Sequence, residues 1–449
     1  MSLLTLRAGA RWTFLAALIV APWMYGGTTA TSIVVIDWLL GAALLLWVLE
    51  LIVNRRLPTF PKLLLVLLTT LVVIGVWMTI NARSIYDAEF GTFAAINNFA
   101  PHALGSVDYA ISVAWMIRAA LLIGAVLFVV DLSQDDKCLI QLWVVLAIAA
   151  GSISLLGLLQ KATGAPAIFW QTPIGSYGSN FFATYYYHAN AGAFLNLVVP
   201  VIAGFAIWTV ARGASPTARM LSVTTGLLVI IGVFSNTSRV AQVIGAVIVV
   251  TLLAAVIRPV ARLFVKSEKG GMVLAAVLVL VAGLAVAQAV HLDRPIMRWQ
   301  QFVKQLPADD RWSADRVALA ATRDAKLFGF GSGTFRVVFP HYQEKSAPPL
   351  GGIWRFLHND YLQTILEWGW LGSAAIGVVF FGGIGLGIRN YVRAEGWSTR
   401  QRILLPCTLL TLCGVAIHAA VDFPLQILSI QLLVASYLGV CWGSSSWGK

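Results

Sequence analysis

One histidine stands where a long polar segment gives way to an apolar, helix-forming run. His358 opens the sequence His-Asn-Asp-Tyr-Leu-Gln-Thr-Ile-Leu-Glu-Trp-Gly-Trp-Leu-Gly, residues 358–372. An imidazole titrates near neutral pH, so it could take a proton from a substrate hydroxyl or, as imidazolium, bind a phosphate. The alternative is that His358 and Asn359 only form a polar cap on the helix that follows.

Charged side chains within apolar runs are the next candidates, because a charge inside a membrane is costly and usually functional. Arg118 and Glu367 have opposite charges and similar predicted depths, which predicts an ion pair between them. His418 and Asp422 are four residues apart and would share one helix face, where the carboxylate could fix the tautomer of the imidazole. Both pairs could equally be structural.

Two short connections carry further polar groups. Arg239 follows Ser-Asn-Thr-Ser at a tight turn between two apolar runs, and a guanidinium has the forked geometry that suits a phosphate. Anchoring a lipid headgroup would explain this arginine equally well. His188 and Asn190 open the apolar run that follows three tyrosines, where helix capping and interface anchoring are alternative explanations.

Several kinds of reactive site have no support in the sequence. There is no Asp-x-Asp, no His/Cys cluster and no Walker-type loop, and the four cysteines show no metal-ligand spacing. We therefore predict no metal, no cofactor and no ATP. A transferase of this kind would need an already activated donor, with arginines in place of a metal to stabilise the leaving group.

The composition is that of an integral membrane protein. Hydrophobic residues make up 59% of the 449 and charged residues 11%, with a mean hydropathy of +0.82. Strand-like alternation is absent, so we predict an all-α, polytopic membrane protein with about 12 transmembrane helices. The predicted apolar runs are 12–28, 32–53, 61–80, 108–130, 138–160, 188–211, 219–234, 239–257, 271–290, 359–388, 403–422 and 426–442.

Positive charge is distributed unevenly between the two sets of loops. Seventeen Lys and Arg residues fall on the side of the termini, and three fall in the short loops opposite. The positive-inside rule then predicts cytoplasmic termini, and it explains the net charge of +12 without nucleic acid. We expect the first helix to be retained, because no convincing small-residue cleavage site follows it and many further spans do. Residues 291–357 become one long extracytoplasmic loop, with apolar residues spaced for two short amphipathic helices near 296–303 and 312–320.

The segment that begins at His358 fits the pattern His-Asn-x-x-Leu-x-x-x-x-Glu-x-Gly-x-x-Gly, which resembles the signature of the O-antigen ligase and O-antigen polymerase superfamily. Shorter pieces around His188, Arg239 and Asp422 are also similar to the family. The loop segment with Arg311, Arg316 and residues 327–335 resembles the family's outer loop. We divide the chain into N-terminal transmembrane helices (1–180), an O-antigen ligase-like region (181–425) that includes loop 291–357, and a last transmembrane helix with a cytoplasmic tail (426–449).

The resemblance implies a metal-independent, inverting glycosyltransferase of the bacterial inner membrane. It would move a glycan from undecaprenyl pyrophosphate to a hydroxyl of a lipid A core or of another lipid-linked glycan, at the periplasmic face. His358 would be the general base, and Arg239 with Arg311 or Arg316 would bind the donor pyrophosphate. The predicted supporting residues are His188, Asn190, Asn359, Glu367, Arg118, His418 and Asp422.

Alternative functions remain open at the level of sequence. A polymerase would share the donor chemistry of a ligase and differ in its acceptor, and the family likeness favours the ligase. A lipid-oligosaccharide flippase or transporter would need a polar path across the whole bilayer, whereas the polar groups here lie in the outer half. A purely structural partner protein is the third alternative. We therefore predict an enzyme.

Overall fold

The computed structural model describes residues 3–87, 89–90, 92–171, 181–266, 293–301, 309–346 and 350–448. Helices dominate this part of the chain. They are α1 (Leu3–Trp23), α2 (Ala30–Val53), α3 (Lys62–Ile80), α4 (Tyr109–Leu132), α5 (Asp136–Ala162), α6 (His188–Ala211), α7 (Pro216–Ser235), α8 (Arg239–Lys266), α9 (Asp293–Gln300), α10 (Asp310–Ala325), α11 (Phe335–Glu344), α12 (Asp360–Val392), α13 (Thr399–Ala419) and α14 (Leu428–Gly443). One antiparallel hairpin, β1 (Ser84–Asp87) and β2 (Thr92–Ala95), pairs Ser84 with Ala95.

Nine helices within the described residues are long and apolar enough to cross a membrane: α2 to α7 and α12 to α14. Helix α8 adds a shorter apolar stretch, Arg239–Ala255. The prediction of a mainly helical, multi-pass membrane protein is therefore confirmed, whereas the count of about 12 transmembrane helices stays a prediction. Eleven of the twelve predicted apolar runs are helical, and the twelfth, 271–290, lies outside the described residues.

Two central helices, α6 and α14, are buried over most of their length. A helix that is apolar on all sides can be buried in this way because no face requires water. Helix α6 packs against α5, α7, α8 and α13, and α14 packs against α4, α12 and α13. The first turn of α6 and the turn Pro424–Gln426 before α14 lie on the side of the bundle that carries α9 to α11, which we call the site side.

Helix α12 is interrupted at Gly369, whose φ is +65°. The loop before α11 takes over the hydrogen bonds that the break releases. Phe330 N–H donates to the Leu366 carbonyl (2.8 Å), and Leu371 N–H donates to the Leu327 carbonyl (3.0 Å). Irregular backbone inside a membrane protein requires this kind of internal satisfaction.

Gly329 of the 327–335 loop contacts Gly369 of the His358 segment at this break. A Cβ atom on Gly369 would lie 2.3 Å from the backbone nitrogen of Gly329, and one on Gly329 would lie 2.5 Å from the Glu367 carbonyl oxygen. The Glu367 carboxylate accepts from the N–H groups of Gly333 (3.0 Å) and Phe335 (3.4 Å) at the start of α11. The break therefore fixes the 327–335 loop to α12.

The segment between α8 and α12 differs from the prediction of two amphipathic helices. Three helices are present within its described residues, α9, α10 and α11. Trp312 and Leu319, which the prediction placed on the apolar face of the second helix, are exposed. Its buried face is instead formed by small residues, including Ala314 and Ala318, because α10 packs closely on the first turns of α12. Phe302 and Val303, from the first predicted helix, lie outside the described residues.

Candidate active site

A cavity of about 470 Å³ opens on the site side between the ends of α6, α8 and α13 and the helices α9 and α10. It collects side chains from six separate parts of the sequence. Among the predicted site residues it is lined by His188, Arg239, Arg311, His358 and Asp422. The structure thus brings together five groups that are as much as 234 positions apart in the chain.

His358 and Asp422 form a hydrogen-bonded pair in this cavity. His358 directly precedes the cap of α12, and Asp422 lies between the end of α13 and the turn before α14. The distance from Nδ1 to Oδ1 is 2.9 Å. In a neutral imidazole the proton on Nδ1 then donates to the carboxylate, so Nε2 is the basic nitrogen.

The environment of Asp422 keeps its carboxyl group ionised. Burial raises the pKa of Asp422, but the hydrogen bond from His358 and the nearby charges of His358 and Arg311 outweigh it and hold the pKa at about 2. The carboxylate also accepts from the Phe423 N–H at 3.0 Å. A permanently charged carboxylate stabilises an imidazolium that forms beside it.

The prediction that His418 is the partner of Asp422 is wrong. Helix α13 ends at Ala419, so Asp422 lies beyond the helix, and its carboxylate is bonded to His358 and Tyr187. Neither ring nitrogen of His418 has a hydrogen-bond partner among the described residues. The carboxylate is used by His358 from another element, 64 residues away in sequence.

A tyrosine that the sequence analysis did not select joins this pair to an arginine. Arg311 Nη2 donates to the Tyr187 hydroxyl at 2.9 Å, and that hydroxyl donates to Asp422 Oδ2 at 3.2 Å. The ring of Tyr187 stacks on Phe423 with centroids 5.3 Å apart and an interplanar angle of 8°. Burial, followed by the charge of Asp422, raises the pKa of Tyr187 well above its usual value, so the hydroxyl stays protonated.

The turn between α7 and α8 positions Arg239 at the first residue of α8. Asn236 is the key residue of this turn. Its Nδ2 donates to the His188 carbonyl at 2.8 Å, and its Oδ1 accepts from the Ser238 N–H at 2.8 Å. This ties the start of α8 to the start of α6.

Three arginines, Arg239, Arg298 and Arg311, line the cavity together. Arg239 Nη1 donates to the carbonyl of Arg298 at 3.3 Å, and Arg298 Nη1 lies 3.2 Å from Nε2 of His188. Burial and the charge of Arg239 lower the pKa of Arg298. Guanidinium groups held this close to one another favour a bound polyanion. Arg298 was not predicted, because α9 carries no motif that distinguishes it from other loop arginines.

Part of the chain that forms the cavity matches a known protein family. A family model described as O-antigen ligase matches residues 224–377. The match confirms the resemblance to the O-antigen ligase and polymerase superfamily. It contains Arg239, Arg311 and His358, whereas Tyr187 and Asp422 lie outside the matched residues. A comparison with curated proteins gives no match.

Arg316 and Asn359, both within the O-antigen ligase match, have different places. Arg316 is five residues from Arg311, about 140° away around α10, and its exposed side chain donates to Ser313 Oγ at 3.1 Å. It does not line the cavity. Asn359 caps α12 through the Leu362 N–H and donates to Asp315 Oδ2 at 3.4 Å, so it links α12 to α10.

The remaining predicted residues lie away from the cavity walls. Asn190 is buried in the first turn of α6. The predicted ion pair between Arg118 and Glu367 is wrong, because the break in α12 presents the Glu367 carboxylate to the N–H groups at the start of α11. The guanidinium of Arg118 instead lies 4.4 Å from the ring centroid of Trp115. Both residues line a second, mainly apolar cavity of about 240 Å³.

Among the described residues, no group of three or more His, Cys, Asp or Glu side chains is arranged to hold a metal ion. The polar groups that line the cavity include the His358–Asp422 pair, the bridging tyrosine and three arginines, together with His188, Asp309 and Asp315. This set can accept a proton and hold a polyanion side by side.

Proposed function

We propose that this protein is an O-antigen ligase-type membrane glycosyltransferase. It transfers a glycan from undecaprenyl pyrophosphate to an acceptor hydroxyl, such as one on a lipid A core, at the periplasmic face of the inner membrane. The observation that carries the proposal is the His358–Asp422 pair, which faces the same cavity as Arg239, Arg298 and Arg311.

In the proposed reaction His358 Nε2 accepts the proton of the acceptor hydroxyl. The acceptor oxygen forms a bond to the anomeric carbon while the bond from that carbon to the pyrophosphate oxygen breaks. The electron pair leaves with the pyrophosphate, and a single displacement inverts the anomeric centre. Asp422 holds the imidazole in the required tautomer and stabilises the imidazolium that results.

The arginines supply the other half of the proposed chemistry. Arg239 and Arg311 bind the pyrophosphate oxygens and stabilise the charge that they gain as the leaving group departs. Arg298 adds a third positive charge to the same wall. Because pyrophosphate is already a good leaving group, the proposed mechanism uses no general acid and no metal.

The apolar side of the cavity supports a lipid-linked donor. Val243 on α8 and Ile417 on α13 line it, and these residues are 50% and 60% exposed. A polyprenyl chain attached to a pyrophosphate in the cavity could leave between these two helices into the bilayer. A free sugar nucleotide would have no use for such an opening.

The orientation is part of the proposal. Among the short loops, basic residues are concentrated opposite the site side, which supports cytoplasmic termini and a cavity that faces the periplasm. Ligase and polymerase would use the same donor half of this cavity, and the likeness to the family favours the ligase.

Deleting the gene and separating the cell's surface glycans on a gel tests the proposal. We expect long chains to disappear from lipid A while polymerised chains remain on undecaprenyl pyrophosphate, with recovery by the wild-type gene and not by His358→Ala. Single repeats on the normal acceptor would identify a polymerase instead. Unchanged glycans in the deletion strain would contradict both.

A further inference from the structure

The Tyr187 hydroxyl stands between two opposite charges. Arg311 lies on one side of it and Asp422 on the other, at 2.9 and 3.2 Å. Within the described residues the ion pair of Arg311 is with Asp309, from Nε to Oδ1 at 3.8 Å, and Arg311 forms none with Asp422. The hydroxyl thus occupies the place where a direct contact between the guanidinium and the Asp422 carboxylate would form.

A direct Arg311–Asp422 ion pair would interfere with both halves of the site. A guanidinium bound to a carboxylate has fewer donors for phosphate oxygens. A carboxylate neutralised by an arginine attracts an imidazolium less strongly. Arg311 therefore binds phosphate better, and Asp422 stabilises an imidazolium better, when the two groups are held apart.

We propose that Tyr187 is a positioning residue that keeps Arg311 away from Asp422. Arg311 then stays available for the pyrophosphate and Asp422 stays available for His358. This inference rests on the proposed function for the identity of the bound anion. The hydroxyl suits the role because it accepts from the arginine and donates to the carboxylate without carrying a charge of its own.

The two neighbouring tyrosines differ from Tyr187 in the contacts that their side chains form. Tyr185 is fully buried, and its hydroxyl is bonded to Ser429 Oγ at 3.0 Å. Tyr186 is 41% exposed and stacks on Tyr25. Phenylalanine at 187 would keep the stacking on Phe423 and lose only the hydroxyl.

Binding of inorganic pyrophosphate to the purified full-length protein, measured by isothermal titration calorimetry, tests the inference without turnover. We expect Tyr187→Phe to weaken binding about tenfold, because Arg311 is released to pair with Asp422. The double variant Tyr187→Phe/Asp422→Asn should regain at least wild-type affinity, since the competing carboxylate is gone. Restored affinity also shows that the variant protein is folded.

Two outcomes would overturn the inference. One is unchanged affinity in Tyr187→Phe, and the other is a double variant that binds as weakly as Tyr187→Phe alone. Tyr185→Phe and Tyr186→Phe are the matched controls, and both should bind pyrophosphate like the wild type. A lower affinity in Tyr185→Phe equal to that in Tyr187→Phe would point to a general packing effect instead.

Glycan transfer separates this inference from the proposed function. With a lipid-linked donor, we expect kcat of Tyr187→Phe to fall about tenfold and the double variant to remain defective, since its base lacks the carboxylate. A wild-type protein that binds pyrophosphate but transfers no glycan would contradict the proposed function and leave the binding result to decide the role of Tyr187.

Discussion

Replacing Asp422 by asparagine removes the charge beside the proposed base with almost no change in shape. The pKa of Asp422 falls from its ordinary 3.8 to about 2, and at about 1.4 kcal/mol per pKa unit this corresponds to about 2 kcal/mol in favour of the carboxylate. The pKa of Asp422 is lower in the folded protein than in the unfolded chain. Its carboxylate therefore stabilises the folded state fully above pH 3.8, and this stabilisation is lost as the pH falls through 2. At neutral pH the carboxylate therefore acts on His358 at full strength.

Asp422→Asn is expected to lower kcat, because the imidazolium that forms on His358 loses the charge beside it. Weakening a general base costs on the order of 10²-fold, and the loss approaches about 10⁴-fold if the amide holds the wrong tautomer. The KM for the lipid-linked donor should change little, because the arginines remain. Steady-state transfer by purified protein measures both constants.

Asp315→Asn is the matched control, because Asp315 lines the same cavity and its carboxylate is bonded to Asn359 instead of His358. It removes an equal charge and should leave kcat within a few-fold of the wild type. An Asp422→Asn variant that keeps kcat within threefold of the wild type would refute the assignment of Asp422 as the partner of the base.

Three further predictions concern the arginines, the helix break and the topology. Arg239→Lys should lower donor kcat/KM at least tenfold, because lysine lacks the planar fork, whereas Arg316→Lys should be neutral; equal activities would favour a headgroup anchor at Arg239. Gly369→Ala should lower stability by about 2 kcal/mol or more, because φ is +65° and the loop backbone lies within 2.4 Å of the added Cβ; an unchanged melting temperature would contradict the close approach. Ile353 and Leu57 are 95% and 92% exposed and lie on opposite sides of the helix bundle. In a background without native cysteines, Ile353→Cys should therefore react with an impermeant thiol reagent in intact spheroplasts, and Leu57→Cys should not. The reverse result would overturn the proposed orientation.

Helical structure was predictable because apolar runs of this length have few alternatives in a membrane. Eleven of the predicted runs are helical, and nine of them match their helix to within about four residues; the first helix begins, and α8 ends, nine residues outside the predicted run. The break at Gly369 was not predicted, although the motif that contains it was noticed, because the reason for the glycine lies in the loop around Gly329, 40 residues earlier. Periodicity reports on neighbours along one helix and carries no information about a distant loop.

In the candidate site, too, residues within local sequence motifs were predicted, whereas contacts between distant parts of the chain were not. His358, Arg239 and Arg311 carry local motifs and line the cavity. No partner was predicted for His358. Spacing within one helix suggested that His418 pairs with Asp422, but the helix ends before Asp422. Tyr187 and Arg298 reach the cavity only through tertiary packing. Sequence spacing therefore could not predict which charged side chains from separate helices and loops would pair.

Transfer by the purified protein in lipid nanodiscs tests both the proposed reaction and the role of His358. The reaction contains an undecaprenyl-pyrophosphate-linked glycan, a lipid A core acceptor and EDTA, and the readout is the release of undecaprenyl pyrophosphate together with glycosylated acceptor. We expect equal amounts of the two products from the wild type and a loss of about 10²–10⁴-fold in His358→Ala. Normal turnover by His358→Ala, or no transfer by a folded wild-type protein with this donor and acceptor, would contradict this expectation.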